Sequence, residues 1–175
     1  MTGQAPAFSR AAEIDTAAQM VSLGERLAGL LAAGDLVVLS GQLGAGKTTL
    51  VQGIGAGLRI RGPVTSPTFV IARVHPSLVG GPDLVHADAY RLGSRAEVDD
   101  LDLDADLAMS VTVVEWGEGL VEGLAGSYLA IGLEADRPDG ADPEGAADQP
   151  RVVRVSGFGE RWQNAGAAVG AALSV

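Results

Sequence analysis

The chain has 175 residues, a formal net charge of −10, two histidines and no cysteine. Its length corresponds to one domain with a sizeable core, and its acidity disfavours strong direct binding to nucleic acid. Without cysteine, disulfide scaffolds, Cys-ligated zinc, iron–sulfur clusters and thiol nucleophiles are excluded, and His75 and His86 alone do not favour a protein-caged transition metal. The sequence has neither an apolar run of membrane-spanning length nor a signal-peptide pattern, so we expect a cytoplasmic protein without a membrane partner.

The first part of the chain is predicted to hold a frayed start, a helix and a buried strand. Residues 1–13 are small and polar, which is typical of a frayed terminus. Apolar residues at spacings of three and four predict an amphipathic helix over residues 16–33, capped by Asp15 or Thr16 and closed by Gly34. The short apolar run at residues 36–39 predicts a strand that is buried on both faces.

A second helix is predicted after a glycine-rich turn, with Leu50, Ile54 and Leu58 on one stripe. Three glycines at positions 53, 55 and 57 weaken this helix, because each glycine costs about 1 kcal/mol relative to alanine. The helix tolerates them if it packs very close to a sheet, and this is the arrangement that we expect.

The second half of the chain is predicted to consist mainly of strands, at residues 69–74, 84–89 and 111–114, with a late hairpin pair at 128–133 and 152–155. Residues 135–150 predict a long mobile loop, and residues 164–175 predict a weak helix or a disordered tail. Strands that alternate with helices predict an α/β fold, with a mixed, mostly parallel central sheet and an antiparallel C-terminal part. We expect one domain over residues 1–160, followed by an Ala/Gly-rich tail over residues 161–175.

The glycine-rich turn fits the G-x-x-x-x-G-K-[ST] pattern of a P-loop, which predicts a single P-loop NTPase domain. Its glycines let backbone amides point inward at a phosphate chain, and the following helix directs its N-terminal dipole at the same anion. The alternative is a glycine-rich turn with a solvated lysine, but Lys47 is the only lysine in the chain. Lys47 would reach the β- and γ-phosphates, and the hydroxyl of Thr48 would hold Mg²⁺. The candidate nucleotide-binding residues here are Gly41, Gln42, Leu43, Gly44, Ala45, Gly46, Lys47, Thr48 and Thr49.

Two carboxylates are candidates for completing the site. Glu115 follows the apolar run 111–114, as in a Walker-B strand, although an ordinary glutamate at a strand end fits the pattern too. His86, Asp88 and Tyr90 alternate, so an extended chain places all three on one face. Asp88 either binds Mg²⁺ through water or orients an attacking water, or else belongs to a structural hydrogen-bond cluster.

Two further segments have open interpretations. Residues 65–69 place three hydroxyls around Pro67, which predicts either a loop that senses the γ-phosphate or a plain Ser-Pro turn before a strand. Residues 97–106 hold six acidic residues without the central glycine and closing glutamate of a calcium loop. This acidic stretch is therefore interpreted as a solvated face or a partner-docking patch.

Four segments taken together resemble the TsaE/YjeE family of small bacterial P-loop ATPases, which are required for threonylcarbamoyladenosine modification of tRNA. They read GQLGAGKTT at 41–49, SPTF at 66–69, HADAYRL at 86–92 and VEW at 114–116. The similarity extends over about residues 23–133, and the set of segments is far more specific than a P-loop alone.

The resemblance implies one α/β domain that binds ATP with Mg²⁺ and hydrolyses it to ADP in a complex with TsaB and TsaD partners. It implies that the ATPase resets the complex after TsaD has transferred the threonylcarbamoyl group. By the family's pattern, Lys47 and Thr48 bind phosphate and Mg²⁺, Glu115 is the second Mg²⁺ ligand, and Asp88 lies near the catalytic water. The remaining family matches are Ser66 and Thr68 in a switch-like loop and Trp116 beside the site. Met20 departs from the pattern, because a threonine near the adenine is frequent there.

Two other functions remain open on the sequence alone. A small P-loop metabolite kinase would use Asp88 to activate an acceptor hydroxyl, but would need an arginine-bearing lid that is not visible. A nucleotide-gated assembly module would bind ATP and hydrolyse it negligibly by itself. A GTPase is disfavoured, because the only asparagine, Asn164, is not followed by the lysine of a guanine-recognition element.

Overall fold

A seven-stranded mixed sheet organises the part of the chain that the computed structural model describes, which comprises residues 4–67, 71–135 and 149–174. The strands lie side by side in the order β1-β7-β6-β2-β5-β4-β3. Their bounds are β1 Phe8–Ile14, β2 Leu36–Gly41, β3 Ala72–His75, β4 Asp83–Asp88, β5 Ser110–Glu115, β6 Tyr128–Ala135 and β7 Arg151–Phe158. The helices are α1 Ala17–Ala28, α2 Lys47–Leu58, α3 Arg95–Asp99, α4 Leu103–Leu107 and α5 Gly166–Leu173.

The centre of the sheet is parallel and its flanks are antiparallel. The pairs β6 with β2, β2 with β5, and β5 with β4 are parallel, whereas β1 with β7, β7 with β6, and β4 with β3 are antiparallel. The predicted α/β fold is therefore confirmed, including the mixed sheet and the antiparallel C-terminal hairpin of β6 and β7. Strands β2 and β5 are buried on both faces, as expected for the middle of such a sheet.

Helices α1 and α2 cover one face of the sheet and pack against each other unusually closely. A Cβ atom at Gly53 would lie 2.2 Å from the carbonyl oxygen of Val21, and one at Gly24 would lie 2.4 Å from that of Leu50. Gly57 likewise faces Ala28 of α1, since its Cβ would be 2.5 Å from the Ala28 Cβ. The expectation that the glycines of α2 allow close approach to a sheet is corrected, because Gly53 and Gly57 allow close approach to α1.

The prediction of a frayed start was wrong for residues 8–13, which belong to a strand. Residues Phe8–Ile14 form β1, which pairs along its whole length with β7, and the side chains of Phe8 and Ile14 are buried. Only the two end residues of β1 are buried, so its sequence lacks the alternation that marks a half-buried strand. At the other end, the segment left open between weak helix and disordered tail contains α5, whose Val169 and Leu173 belong to the core beside Phe8.

The limits of two predicted elements differ from the structure for local reasons. Helix α1 begins after Thr16, whose side chain accepts a hydrogen bond from the backbone N–H of Gln19, but it ends at Ala28 with Gly29 as its C-cap. Gly34 instead occupies a left-handed turn at φ +95° and donates its N–H to the carbonyl of Ser110. The acidic stretch overlaps the short helices α3 and α4, which were not predicted from the sequence.

An ion pair attaches the C-terminal region to the turn before β2. Arg161 donates to both carboxylate oxygens of Asp35, at 3.1 and 3.0 Å, and to the carbonyl of Leu30 at 2.9 Å. The same carboxylate accepts the N–H of Ala32, which fixes the turn that leads into β2. No helix within the described ranges is both long and apolar enough to span a bilayer.

Candidate functional site

Three loops meet where the parallel strands β2, β5 and β4 end. Leu39 of β2 lies beside Glu115 of β5 in the sheet register, and Glu115 lies beside Asp88 of β4. The loop after β2 is the glycine-rich segment, so the register brings both candidate carboxylates to the edge that carries this loop. Ligands bind at this edge of open α/β sheets, outside the carboxyl ends of the strands.

The glycine-rich loop connects β2 to α2, as the sequence predicts. Gly41 has a φ of +146°, and a Cβ there would lie 2.6 Å from the carbonyl oxygen of Leu133, so no larger residue fits. Gly46 has a φ of +101° and precedes Lys47, the first residue of α2. Because Gly46 brings no side chain to cap the helix, the first amides of α2 stay available to an anion. Thr48 and Thr49 follow in the first turn of this helix.

Lys47 lies folded over its own loop. Its Nζ donates to the carbonyls of Gly41 and Gln42, at 2.8 and 2.9 Å, and lies 4.1 Å from the ring centroid of Trp116. Burial lowers the pKa of the Lys47 ammonium below its ordinary value, while the negative charges of Glu115 and Asp88 raise it in part. The ammonium therefore donates to the loop backbone within the field of two carboxylates.

Glu115 is the centre of a buried polar cluster. Its Oε1 accepts a hydrogen bond from Thr48 Oγ1 at 3.1 Å and contacts His86 Nε2 at 2.8 Å. The pairing of Thr48 with Glu115, which the sequence analysis proposes for the metal, is thus a direct contact in the structure. The contact of His86 with Glu115 was not predicted. The alternation of His86 with Asp88 had already placed both side chains on one face of β4, and the register places Glu115 beside Asp88.

Asp88 is held at the end of β4 by the turn that follows. Its Oδ1 accepts the backbone N–H of Tyr90 at 2.8 Å, and its own N–H donates to the carbonyl of Ile71 at 2.7 Å. This agrees with the alternative in which Asp88 anchors the next residues, and it leaves the carboxylate at the same edge as Glu115. Asp88 can therefore anchor the following turn and also belong to the site.

The remaining candidate residues lie around this cluster or outside the described ranges. Trp116 adopts a φ of +59°, donates its N–H to the carbonyl of Leu39, and has its ring centroid 5.1 Å from that of Tyr90. Ser66 is exposed on the segment after α2, and Thr68 lies outside the described residues. Leu43, at the tip of the glycine-rich loop, is 85% exposed.

Met20 and Arg151 line the inner side of the loop. A Cβ at Gly46 would lie 3.5 Å from Met20 Cε, 3.7 Å from Arg151 Nε and 3.8 Å from Leu133 Cδ2. From the sequence, Met20 was notable only for its departure from the family pattern, and Arg151 was not predicted to lie here. The loop is thus supported from behind by α1, β6 and β7.

The assembled groups suit a polyphosphate that carries a hard divalent cation. The loop amides and the lysine provide positive partners for phosphate, and the hydroxyl and carboxylates provide the oxygen ligands that Mg²⁺ prefers. In the part of the chain that the structure describes, no three His, Asp or Glu side chains are grouped as a metal cage. Mg²⁺ is usually held by one or two carboxylates together with phosphate oxygens, so the residues present fit this ion.

Comparison with known proteins gives a consistent result. A family model for threonylcarbamoyl adenosine biosynthesis protein TsaE matches residues 14–141. The tRNA threonylcarbamoyladenosine biosynthesis protein TsaE of Streptomyces coelicolor is 61% identical over 151 residues, which are 86% of this chain and 98% of that protein. The TsaE protein of Mycobacterium leprae is 53% identical over 124 residues, covering 67% of this chain and 77% of that protein.

A solved structure also resembles this fold. The crystal structure of Bacillus subtilis YdiB superposes with a TM-score of 0.66 at 25% sequence identity, and the match covers 95% of each chain. Together with the matched residues of the family model, these similarities extend over the sheet, α1, α2 and the glycine-rich loop. The chain therefore belongs to the TsaE family of threonylcarbamoyl adenosine biosynthesis proteins.

Proposed function

We propose that this chain binds ATP with Mg²⁺ and hydrolyses it to ADP, as its contribution to the tRNA threonylcarbamoyladenosine biosynthesis in which its family takes part. The observation that carries this proposal is the convergence of Lys47, Thr48, Asp88 and Glu115 on one loop at the carboxyl edge of the sheet. Each of these side chains has the chemistry that phosphoryl transfer requires, and catalysis of such reactions is mostly positioning and electrostatic stabilisation.

The phosphate chain is proposed to bind along residues 41–48 and the first turn of α2. Lys47 now satisfies its ammonium with the carbonyls of Gly41 and Gln42, which are weaker partners than phosphate oxygens. On binding, the ammonium exchanges these carbonyls for the β- and γ-phosphates. The ring of Trp116 lies against Lys47 and next to Tyr90, so it covers one side of this ammonium.

The two carboxylates are assigned different roles. Thr48 and Glu115 would hold Mg²⁺, which when bound neutralises charge on the phosphate oxygens. Asp88 would orient the attacking water, and its hydrogen bond to the N–H of Tyr90 fixes the direction of the carboxylate beforehand. Ser66 and Thr68 would sense the γ-phosphate from the segment after α2.

Partner proteins of the TsaB and TsaD type are the proposed context for this activity. The chain is strongly acidic, which disfavours direct action on a polyanion such as tRNA. Its cytoplasmic location stays a prediction. Leu43 at the loop tip and Ser66 are both exposed, so a partner bound there would contact residues next to the nucleotide. The ATP and ADP states would then differ in partner affinity, which is what couples hydrolysis to the complex.

The proposed function is tested by measuring ATP turnover of the chain alone, with the TsaB–TsaD pair, and with the pair and tRNA. We expect slow turnover alone and faster turnover in the complex, with partner capture differing between an ATP analogue and ADP. ATP binding without turnover in any mixture would favour an assembly module. Equal partner capture in both nucleotide states, or tight tRNA binding by the chain alone at physiological salt, would contradict the proposed coupling.

Glu115→Gln is expected to retain nucleotide and to reduce hydrolysis by roughly 100-fold, because the amide keeps the shape of the side chain and removes the charge at the metal. Equilibrium ATP binding and single-turnover hydrolysis measure the two effects separately. Glu118→Gln is the matched control, since Glu118 undergoes the same change at an exposed position outside the cluster. If a nucleotide-bound structure places Asp88 at the metal and Glu115 away from it, the two assignments are reversed.

A further inference from the structure

His86 is fully buried, with 0% of its surface exposed, at the centre of the proposed site. Its Nε2 lies 2.8 Å from Glu115 Oε1, and Thr48 Oγ1 lies 3.1 Å from the same oxygen. Side chains from α2 and β4 thus contact the same carboxylate oxygen of Glu115, and neither of these contacts involves the second oxygen, Oε2. The Glu115 carboxylate is thus held in place through Oε1, and Oε2 remains available to a further ligand.

The surroundings of the ring indicate which tautomer is present. Nδ1 of His86 is buried and has no hydrogen-bond partner among the described residues. A hydrogen on Nδ1 would be a buried donor without an acceptor, which costs more than an unused lone pair. The hydrogen is therefore on Nε2, and His86 donates to Glu115.

We propose that His86 is the positioning residue of Glu115: by donating from Nε2 to Oε1, it fixes this carboxylate against Thr48 before any cation arrives. The role rests on the proposed function, in which Thr48 and Glu115 together hold Mg²⁺. A ligand that is oriented by an outer hydrogen bond binds its metal more tightly, and loss of such a partner typically lowers metal affinity about 10- to 100-fold. The sheet supplies the rigidity, because β4 and β5 are paired at His86 and Val113.

The test uses two amides that differ in reach. In His86→Gln the amide nitrogen takes the place of Nε2, whereas in His86→Asn it takes the place of Nδ1 and does not reach Glu115. We expect His86→Asn to raise the Mg²⁺ concentration for half-maximal ATP hydrolysis about tenfold or more, and His86→Gln to restore most of the loss. The affinity for ADP in the presence of a chelator should stay within about twofold in both variants, since no cation is involved.

His75→Asn serves as the control for replacing a buried histidine, because His75 lies on β3 and contacts the carbonyl of Arg61 rather than the cluster. Circular dichroism and thermal unfolding establish that each variant is folded. If His86 had only a structural role, its replacement would lower stability, and it would not change the Mg²⁺ dependence of hydrolysis while leaving the ADP affinity in chelator unchanged. Nitrogen NMR of the wild-type ring adds a readout that needs no turnover, and it should show the hydrogen on Nε2.

The outcomes distinguish the role of His86 from the proposed function. Wild-type protein without Mg²⁺-dependent hydrolysis, alone or with partners, would overturn the proposed function and this role with it. Normal wild-type activity with unchanged Mg²⁺ dependence in His86→Asn would overturn the role alone. If His86→Asn fails to fold, the test rests on His86→Gln and on the NMR measurement. A tenfold rise in the Mg²⁺ concentration for half-maximal hydrolysis in His86→Gln, or a hydrogen on Nδ1 in the wild type, would overturn the role. Normal Mg²⁺ dependence in His86→Gln together with a hydrogen on Nε2 would support it.

Discussion

Lys47→Ala is expected to lower ATP hydrolysis by at least about 1,000-fold, because it removes the only ammonium that can reach the phosphates as charge develops in the transition state. No second lysine exists in the chain to substitute for it. In the structure this ammonium donates to the loop carbonyls, and the negative charges of the buried Glu115 and Asp88 raise its pKa, so its loss also removes a favourable charge interaction with both carboxylates. Steady-state turnover and equilibrium ATP binding measure the effect.

Arg154→Ala is a suitable control for the removal of a positive charge, because Arg154 is exposed on β7 and takes no part in the cluster. It should leave turnover unchanged. Unchanged ATP affinity and turnover in folded Lys47→Ala would instead refute the interpretation of residues 41–48 as a nucleotide-binding loop. Lys47→Arg is expected to rescue poorly, since the guanidinium is larger and its fork does not replace a compact ammonium inside the loop.

Gly53→Ala is expected to destabilise the fold by about 3 kcal/mol, although alanine is the better helix former by about 1 kcal/mol. The added Cβ would lie 2.2 Å from the carbonyl oxygen of Val21 and 3.0 Å from the Cα of Gly24. Both are backbone atoms of α1, so no side chain can turn aside, and the two helices must separate. Urea denaturation measures the change in the free energy of unfolding.

Gly170→Ala is the matched control for this prediction, because it is the same substitution inside a helix without the clash. A Cβ at Gly170 would lie 3.7 Å from Arg10 Nε, an ordinary contact distance. We expect this variant to be more stable by roughly 0.5–1 kcal/mol, through helix propensity alone. If Gly53→Ala were equally stabilising, the close contact between α1 and α2 would not be a requirement of the fold.

Local patterns predicted the elements that carry the site. The run at residues 36–39, the glycine-rich loop and the following helix were predicted in order, because a doubly buried strand and a P-loop have strong local signatures. Thr16 was one of the two predicted caps of α1 and is the one observed. Glu115 was singled out by the apolar run before it and Asp88 by its alternation with His86 and Tyr90, and the register of β4 and β5 brings the two side by side.

Features that depend on distant partners were not predictable in the same way. β1 looked frayed because half of its side chains face solvent, and its pairing with β7 spans almost the whole chain. The glycines of α2 indicated a close neighbour without indicating which element it was. The contact of His86 with Glu115 depends on the register of β4 against β5, and one sequence does not contain that register.

The support behind Gly46 has a consequence for the order in which the protein can become functional during synthesis. The loop at residues 41–48 leaves the ribosome early, whereas Leu133 and Arg151, which line its inner side, are made much later. The last-made strand of the sheet, β7, also provides the partner of β1, which is made first. Such non-local pairings form slowly, because the intervening chain must be ordered before they contribute. A nascent chain that has passed Lys47 thus carries the glycine-rich loop without the residues that line its inner side, and it gains them only when the hairpin of β6 and β7 joins the sheet.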